Sequence, residues 1–243
     1  PTGDDQLLKS VSRPKGMMKL EVFEKTINDL SLMVNKYNSR PLQISLYKDG
    51  EPLLNKNLPK MLKMASNAKL TNQLEVTTNG SGLTKKKSEE LIKSGLQKIR
   101  FSIEHVHDEG YLKITQKPFV FKKIYENAKN FWHINKSLGE PVKVHIKIID
   151  VNMTEKEKKL FFDLFEPIAH TTNIDNLHGW SDSSSKDFTL NVKPKKSVIG
   201  EKLIQKKVCS QPFSRVTVLF NGDVTPCCVD WTHKLVAGNI MKN

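Results

Sequence analysis

The sequence predicts an α/β protein in which helices cover a parallel sheet. Two observations favour this class. Segments with apolar residues at helical spacing alternate with short strand-like segments, and turns such as Asp49-Gly50 and Asn79-Gly80 end the strands. The chain has 243 residues, which is long enough for one large domain and a small addition. This alternation is typical of a doubly wound sheet or of a partial β/α barrel.

Helices and strands follow one another in a regular order from residue 19. The first helix carries Phe23, Ile27 and Val34 on one face, and Thr154-x-x-Glu157 is a capping box that begins the last helix. Because the first visible element is a helix, we expect the strand before it to lie upstream of residue 1. The predicted helices are 19–35, 58–65, 83–94, 119–136 and one from 154, and the predicted strands are 42–47, 73–78, 98–104, 142–149 and 169–177.

The chain is basic, with 39 Lys and Arg against 26 Asp and Glu and a net charge of +13. Only four of these cations are arginines, whose planar guanidinium suits phosphate and base recognition better than lysine does. The lysines are spread along the chain, which is typical of a soluble surface, so nucleic acid is not expected as a partner. No apolar run reaches the roughly 18 residues of a membrane span, and the polar start is not a signal peptide. We therefore expect no membrane partner.

A change in composition divides the chain near residue 179. The segment from Gly179 to Gly200 is rich in serine and lysine, as surface linkers are. We predict a barrel domain at 1–178, a linker at 179–200 and a small module at 201–243. This module carries a strand-turn-strand segment from Val216 to Val224 and all three cysteines.

Polar groups follow the predicted carboxyl ends of the strands, where ligands bind in parallel α/β architectures. They suit a polar small molecule with amine and hydroxyl groups, and no glycine-rich phosphate loop is present. Each group alone is better explained as a turn or as a local structural contact. Only their convergence on one face indicates a site. The groups are Gly50-Glu51-Pro52, Thr78-Asn79-Gly80, Ser102 with Glu104, Asp150 with Asn152, and His178.

The three cysteines, Cys209, Cys227 and Cys228, all lie in the last 35 residues. An odd number in this position does not fit a disulfide framework, and it favours a reducing cytoplasm and a metal or cluster role. Gly222 supplies the turn of a tight hairpin whose ends bring thiolates together. Zinc and iron–sulfur clusters both accept such ligands, and buried free cysteines remain an alternative. Three cysteines do not complete a four-thiolate site.

The cysteine segment resembles the first half of a SPASM or twitch extension, which carries auxiliary iron–sulfur clusters in radical S-adenosylmethionine (SAM) enzymes. The resemblance rests on Cys209-x12-Gly222-x4-Cys227 and on the following Gly238-Asn239-Ile240. The preceding 200 residues are similar to the partial (β/α)6 barrel of the same family, whose first strand is not in this chain. The resemblance implies that Cys209 and Cys227, with Cys228 as a further candidate, bind an auxiliary cluster.

Three strand-end motifs are similar to SAM-binding motifs of this family. Gly50-Glu51 resembles the glycine-glycine-glutamate motif that holds the SAM amino group, although Asp49 replaces the first glycine. Two further strand ends resemble motifs of this family, namely Thr78-Asn79-Gly80 and Ser102-Ile103-Glu104. The resemblance implies that Glu51 and the Gly50 backbone hold the amino group. It also implies that Asn79, Ser102 and Glu104 contact other polar parts of SAM.

The family resemblance implies a one-electron reaction of the oxidoreductase or transferase type. A [4Fe–4S] cluster donates an electron to SAM, and the resulting 5′-deoxyadenosyl radical abstracts hydrogen from a substrate. The three-cysteine motif for that cluster is absent from this chain, and we expect it just upstream of Pro1. The expected partners are a small-molecule, sugar or peptide substrate, bound near 178–181, and an electron donor such as flavodoxin or ferredoxin. No catalytic acid or base is identified.

Two other functions remain open from the sequence. The charge of +13 and the cysteine hairpin also fit a zinc-stabilised module that binds nucleic acid or protein. A barrel that binds SAM without catalysing a reaction is the third interpretation.

Overall fold

A computed structural model describes residues 14–118, 120–177, 197, 200–202, 208–230 and 232–242. It confirms the predicted α/β class, with a five-stranded sheet and a separate three-stranded sheet. The helices are α1 (Leu20–Tyr37), α2 (Leu58–Ala68), α3 (Lys85–Lys93), α4 (Asp108–Thr115), α5 (Phe121–Ser137) and α6 (Glu155–Phe165). The strands are β1 (Ile44–Ser45), β2 (Leu74–Thr78), β3 (Lys98–Ile103), β4 (Lys143–Asp150), β5 (Thr171–Asn176), β6 (Thr217–Val218), β7 (Asp223–Thr225) and β8 (Gly238–Asn239).

The chain forms two compact units, the first of which comprises residues 27–148 and 153–174. Its sheet has the order β1-β2-β3-β4-β5, and the β1–β2, β2–β3 and β3–β4 pairs are parallel. Strand β1 is shorter than the predicted 42–47, because its pairing with β2 is confined to a few residues. Its ladder runs from Ile44 to Leu46, whose backbone N–H groups donate to the carbonyls of Gln73 and Glu75.

Alternation along the strands gives the sheet one apolar face and one polar face. In β3, Ile99, Phe101 and Ile103 are fully buried, whereas Lys98, Arg100 and Ser102 are half-buried on the opposite side. The Phe101 ring packs edge-on against Phe131 of α5, with ring centroids 5.9 Å apart. Helices therefore cover the apolar face of the sheet, and the polar face is left for other groups.

The polar face carries a buried charge network between β2 and β3. Glu75 is fully buried, and its carboxylate lies 3.2 Å from both Lys98 Nζ and Arg100 Nη2. The Tyr47 hydroxyl donates to the same carboxylate at 3.2 Å. A buried carboxylate is tolerated here because two cations and a hydroxyl replace its water.

The capping box predicted at the start of the last helix is confirmed. Thr154 Oγ1 accepts from the Glu157 N–H, and the Glu157 carboxylate accepts from the Thr154 N–H at 2.7 Å. The eight-residue helix α4 was not predicted. It is capped by His107, a residue that is seldom used as a helix cap, and it buries only Gly110 and Tyr111.

The second unit comprises the described residues within 14–26, 149–152 and 175–242, and it contains the antiparallel sheet β6-β7-β8. Gly222 makes the turn between β6 and β7 with φ of +88°, where a Cβ would lie 2.9 Å from Met241 Cγ. The predicted hairpin is therefore correct, and β8 adds a third strand. Asn239 of β8 donates to Asp223 Oδ1 at 2.8 Å, which fixes the turn. None of the helices in the described residues has the length and apolar composition to cross a bilayer.

Candidate functional site

The Glu51 carboxylate joins two of the predicted motifs at the carboxyl end of the parallel sheet. Its Oε1 accepts from the Thr78 hydroxyl at 2.6 Å and from the Leu53 N–H at 3.0 Å, and its Oε2 accepts from the Asn79 N–H at 2.8 Å. The loop after β1 is thereby bonded to the end of β2. We refer to this arrangement of Glu51, Thr78 and Asn79 as the Glu51 clasp.

The clasp is positioned by a tight turn after β2. The buried Thr78 hydroxyl also accepts from the Gly80 N–H at 3.0 Å, so it bonds on two sides. Gly80 has φ of +75°, and a Cβ there would lie 3.2 Å from Phe101 Cδ1. Both the left-handed backbone and the aromatic ring beneath it favour glycine at this position. The turn that the sequence predicts at Thr78-Asn79-Gly80 therefore places the Asn79 N–H against Glu51.

The clasp fits an amine ligand chemically. A carboxylate offers about four acceptor sites, and three protein donors occupy sites on Glu51. The remaining site is on Oε2, and an ammonium group is the donor that a half-buried carboxylate favours most. Gly50, with φ of +78° and open space around its Cα, allows a ligand to approach the backbone closely. These residues fit the amino group of SAM.

The Asn79 side chain is engaged locally. Its Oδ1 accepts from the Ser81 N–H at 2.9 Å and from the Ser81 hydroxyl at 2.7 Å, which leaves the amide Nδ2 as its donor toward a ligand.

Ser102 and Glu104 lie at the end of β3, where the sheet places a cation beside them. Ser102 is directly opposite Lys147 of β4, on the polar face. Burial raises the pKa of the Glu104 carboxyl, and the positive charge of Lys147 acts in the opposite direction. The Glu104 N–H donates to the buried Tyr111 hydroxyl at 3.2 Å, which fixes the backbone at this point. Lys147 and Tyr111 were missed by the sequence analysis, because their roles depend on strand register and on the unpredicted helix α4.

The three cysteines are free thiols. Cys209 is exposed, and Cys227 and Cys228 are half-buried just after β7. The buried Thr225 hydroxyl accepts from the Cys227 N–H at 3.3 Å and so fixes the turn. In the described part of the chain, the three thiols do not meet within the 4.8 Å expected for one metal ion. Thiolates are soft ligands that both zinc and iron–sulfur clusters accept.

His178 and the segment 178–181, predicted to line the substrate site, lie outside the described residues.

Comparisons with known proteins agree with this geometry. Residues 17–136 match the Radical SAM superfamily, and residues 209–243 match the SPASM iron-sulfur cluster-binding domain. The chain therefore belongs to the radical SAM superfamily and carries a SPASM region. Members of this superfamily use SAM and a [4Fe–4S] cluster, and SPASM domains bind auxiliary iron–sulfur clusters. The family that the sequence motifs predicted is confirmed.

The chain is also similar to individual members of the superfamily. The GTP 3′,8-cyclase of Campylobacter lari is 29% identical over 141 residues, which are 55% of this chain and 40% of that protein. The chain spans less than half the length of the curated relatives that it matches.

Two solved structures share the fold. Native anSMEcpe with bound AdoMet has a TM-score of 0.63 at 15% identity, covering 96% of this chain and 72% of that one. Streptococcus suis SuiB bound to the precursor peptide SuiA has a TM-score of 0.60 at 13% identity, covering 89% of this chain and 66% of that one.

Proposed function

We propose that the protein carrying this chain reductively cleaves SAM and uses the resulting radical to abstract hydrogen from a substrate. The observation that carries this proposal is the Glu51 clasp. It bonds the loop after β1 to the end of β2 and retains one acceptor site for an ammonium group. The superfamily membership supplies the reaction class.

In this proposal, five residues at the carboxyl ends of the strands orient SAM. Glu51 accepts a hydrogen bond from the SAM ammonium group, and the Gly50 backbone lies beside it. The Asn79 amide donates to a polar atom of the bound SAM. Ser102 and Glu104, with Lys147 opposite, contact the more distant polar groups. When bound, the [4Fe–4S] cluster supplies the electron that cleaves SAM. The chain orients SAM and excludes water.

The small module binds an auxiliary cluster through Cys209 and Cys227, with Cys228 as a third ligand, and other ligands come from outside these cysteines. Free thiols support this assignment and a reducing compartment such as the cytoplasm. We retain 1–178 as the barrel domain, 179–200 as the linker and 201–243 as the cluster module.

The substrate is proposed to be a peptide, a sugar or another polar small molecule. The polar groups at the carboxyl end of β3, Ser102 and Glu104 with Lys147 opposite, support a polar substrate. The likeness to peptide-bound SuiB is consistent with a peptide. Flavodoxin or ferredoxin is the proposed electron donor, and the net reaction is of the oxidoreductase or transferase type.

The proposal is tested by anaerobic reconstitution of the full-length protein with iron and sulfide, followed by titration with SAM. We expect visible iron–sulfur absorbance and saturable SAM binding. Zinc in place of iron at the cysteines, together with no SAM binding, would contradict the proposal and favour a zinc-stabilised module. Cluster assembly and SAM binding without SAM cleavage would instead indicate a non-catalytic barrel.

Substituting the cysteines is expected to remove the auxiliary cluster. Cys209→Ser and Cys227→Ser each replace a soft thiolate by a hydroxyl that binds iron poorly. The iron and sulfide content of the reconstituted protein should fall by the content of one cluster, as measured by chemical analysis. Ser210→Ala, beside Cys209, is the control and should retain the full content. Unchanged iron and sulfide in both cysteine variants would show that these thiols are not ligands.

A further inference from the structure

Two histidines and a glutamate meet beside the carboxyl end of β3. His105 follows this strand by two residues, His107 caps the start of α4, and Glu157 lies in the first turn of α6. The three residues belong to the first compact unit. Among the residues that the structure describes, they form the one group of three His, Cys, Asp or Glu side chains whose ligand atoms all lie within 4.8 Å of one another.

The spacing of the three groups is close to that of a metal site. Glu157 Oε1 lies 2.9 Å from His107 Nε2 and 3.5 Å from His105 Nε2, and the imidazole centroids are 4.2 Å apart. A tetrahedral zinc ion with bonds of about 2.0–2.1 Å separates its ligand atoms by about 3.3 Å. Both distances from Glu157 Oε1 to the imidazole nitrogens therefore fall within a few tenths of an ångström of the spacing that zinc requires.

Hydrogen bonds outside the group hold Glu157 in place. Its Oε2 accepts from the Thr154 N–H at 2.7 Å and from the Thr154 hydroxyl at 2.8 Å. This capping box uses one carboxylate oxygen and leaves Oε1 directed at both imidazoles. In metal sites, the side chains that bind the metal are typically held in place by hydrogen bonds to residues outside the site.

The two histidines are placed by the start of α4. A Cβ on Gly110 would lie 2.0 Å from the His105 ring, so glycine at this position makes room for the imidazole. His105 is 7% exposed, and its buried Nδ1 has no hydrogen-bond partner. The His107 side chain is 47% exposed, which provides a path for an ion and space for a water ligand.

From this geometry we propose that His105, His107 and Glu157 bind one divalent cation of the zinc class, with water as the fourth ligand. The set of two histidines and one carboxylate is one that zinc accepts. The ion would bond the ends of β3, α4 and α6 to one another, and this role is separate from those of the iron–sulfur clusters and SAM.

Ion binding requires a change of tautomer at His107. Without an ion, Nδ1 accepts from the Gly110 N–H at 3.4 Å, and Nε2–H donates to Glu157. Coordination of the ion through Nε2 moves the ring proton to Nδ1. Nδ1 can then no longer accept from the Gly110 N–H, and the hydrogen bond that caps α4 is lost. That hydrogen bond is near the upper limit of length, so its loss costs little.

The test is a titration of the intact, cluster-loaded protein with Zn²⁺ alone, under anaerobic conditions and against a chelator of known affinity. Two variants preserve the local fold. Glu157→Gln retains the capping box, and His107→Asn retains a good helix cap. Each is expected to weaken binding of one zinc equivalent by about tenfold or more, because each removes a ligand. Glu155→Gln is the matched control, since Glu155 lies in the same turn and its side chain is 90% exposed.

Wild-type protein and Glu155→Gln should bind this zinc equivalent equally well, and Zn²⁺ should raise their thermal unfolding midpoints but not those of the two ligand variants. Equal zinc affinity in all four proteins would overturn the proposal. So would a zinc equivalent that is lost only when Cys209, Cys227 or Cys228 is substituted.

Discussion

Replacing Glu51 with glutamine is expected to weaken SAM binding by about 10- to 100-fold. The carboxylate accepts from the Asn79 N–H through Oε2, and in the proposed complex the same oxygen accepts from the SAM ammonium group. A glutamine that keeps its oxygen toward Thr78 presents an NH2 group to both donors. Hydrogen bonds to a charged group contribute about 1.5–3 kcal/mol, which corresponds to this change in the dissociation constant. Equilibrium dialysis with labelled SAM measures it.

The matched control for this variant is Glu89→Gln. Glu89 lies on α3, where its half-exposed carboxylate pairs with Lys93 at 3.3 Å. Exposed pairs of this kind contribute little to stability, so SAM affinity and the unfolding midpoint should stay as in the wild type. Equal SAM affinity in the wild type, Glu51→Gln and Glu89→Gln would show that the clasp is a structural turn and not a ligand site.

Replacing Phe101 with alanine is expected to lower the free energy of unfolding of the barrel unit by about 3–5 kcal/mol. The ring is fully buried in the middle of the sheet, packs edge-on against Phe131 and supports the Gly80 turn. Its removal leaves a cavity beneath the strand end that holds Asn79. Urea unfolding followed by circular dichroism measures the loss.

Phe213→Ala is the control for this substitution. Phe213 is 88% exposed, so truncation of its ring should change the free energy of unfolding by less than about 0.5 kcal/mol. If Phe101→Ala destabilised the protein by no more than Phe213→Ala does, Phe101 would not be part of the core that supports the site.

Sequence periodicity was sufficient to predict most helices and strands of the first unit. The buried positions of α1 and α6 recur at helical spacing, and the capping box at Thr154 marks a helix start by its side-chain chemistry alone. Helix α4 could not be found this way. It has only eight residues, and its cap is the His107 imidazole, which resembles an ordinary polar side chain in the sequence.

The candidate site was predictable in its location but not in its contacts. Parallel strand ends meet at one edge, so Glu51 and Thr78-Asn79 were expected to lie close together. Glu51 bonds to the Asn79 backbone, while the Asn79 side chain bonds to Ser81. These contacts depend on how the loops fold against each other.

Contacts between strands depend on register, which the sequence does not specify by itself. The pairing of Ser102 with Lys147 follows from the alignment of β3 with β4. A shift by one residue would move the Lys147 side chain to the other face of the sheet. The meeting of His105 and His107 with Glu157 likewise joins segments about fifty residues apart, and local patterns carry no sign of it.

The most direct test of the proposed function is SAM cleavage by the full-length, iron- and sulfide-reconstituted protein under reducing conditions. Chromatography of the products measures 5′-deoxyadenosine. We predict its formation with the wild type and Glu89→Gln, and a loss of about tenfold or more with Glu51→Gln at subsaturating SAM. If the clusters are assembled and none of the three proteins forms 5′-deoxyadenosine, this result would contradict the assignment as a radical SAM enzyme.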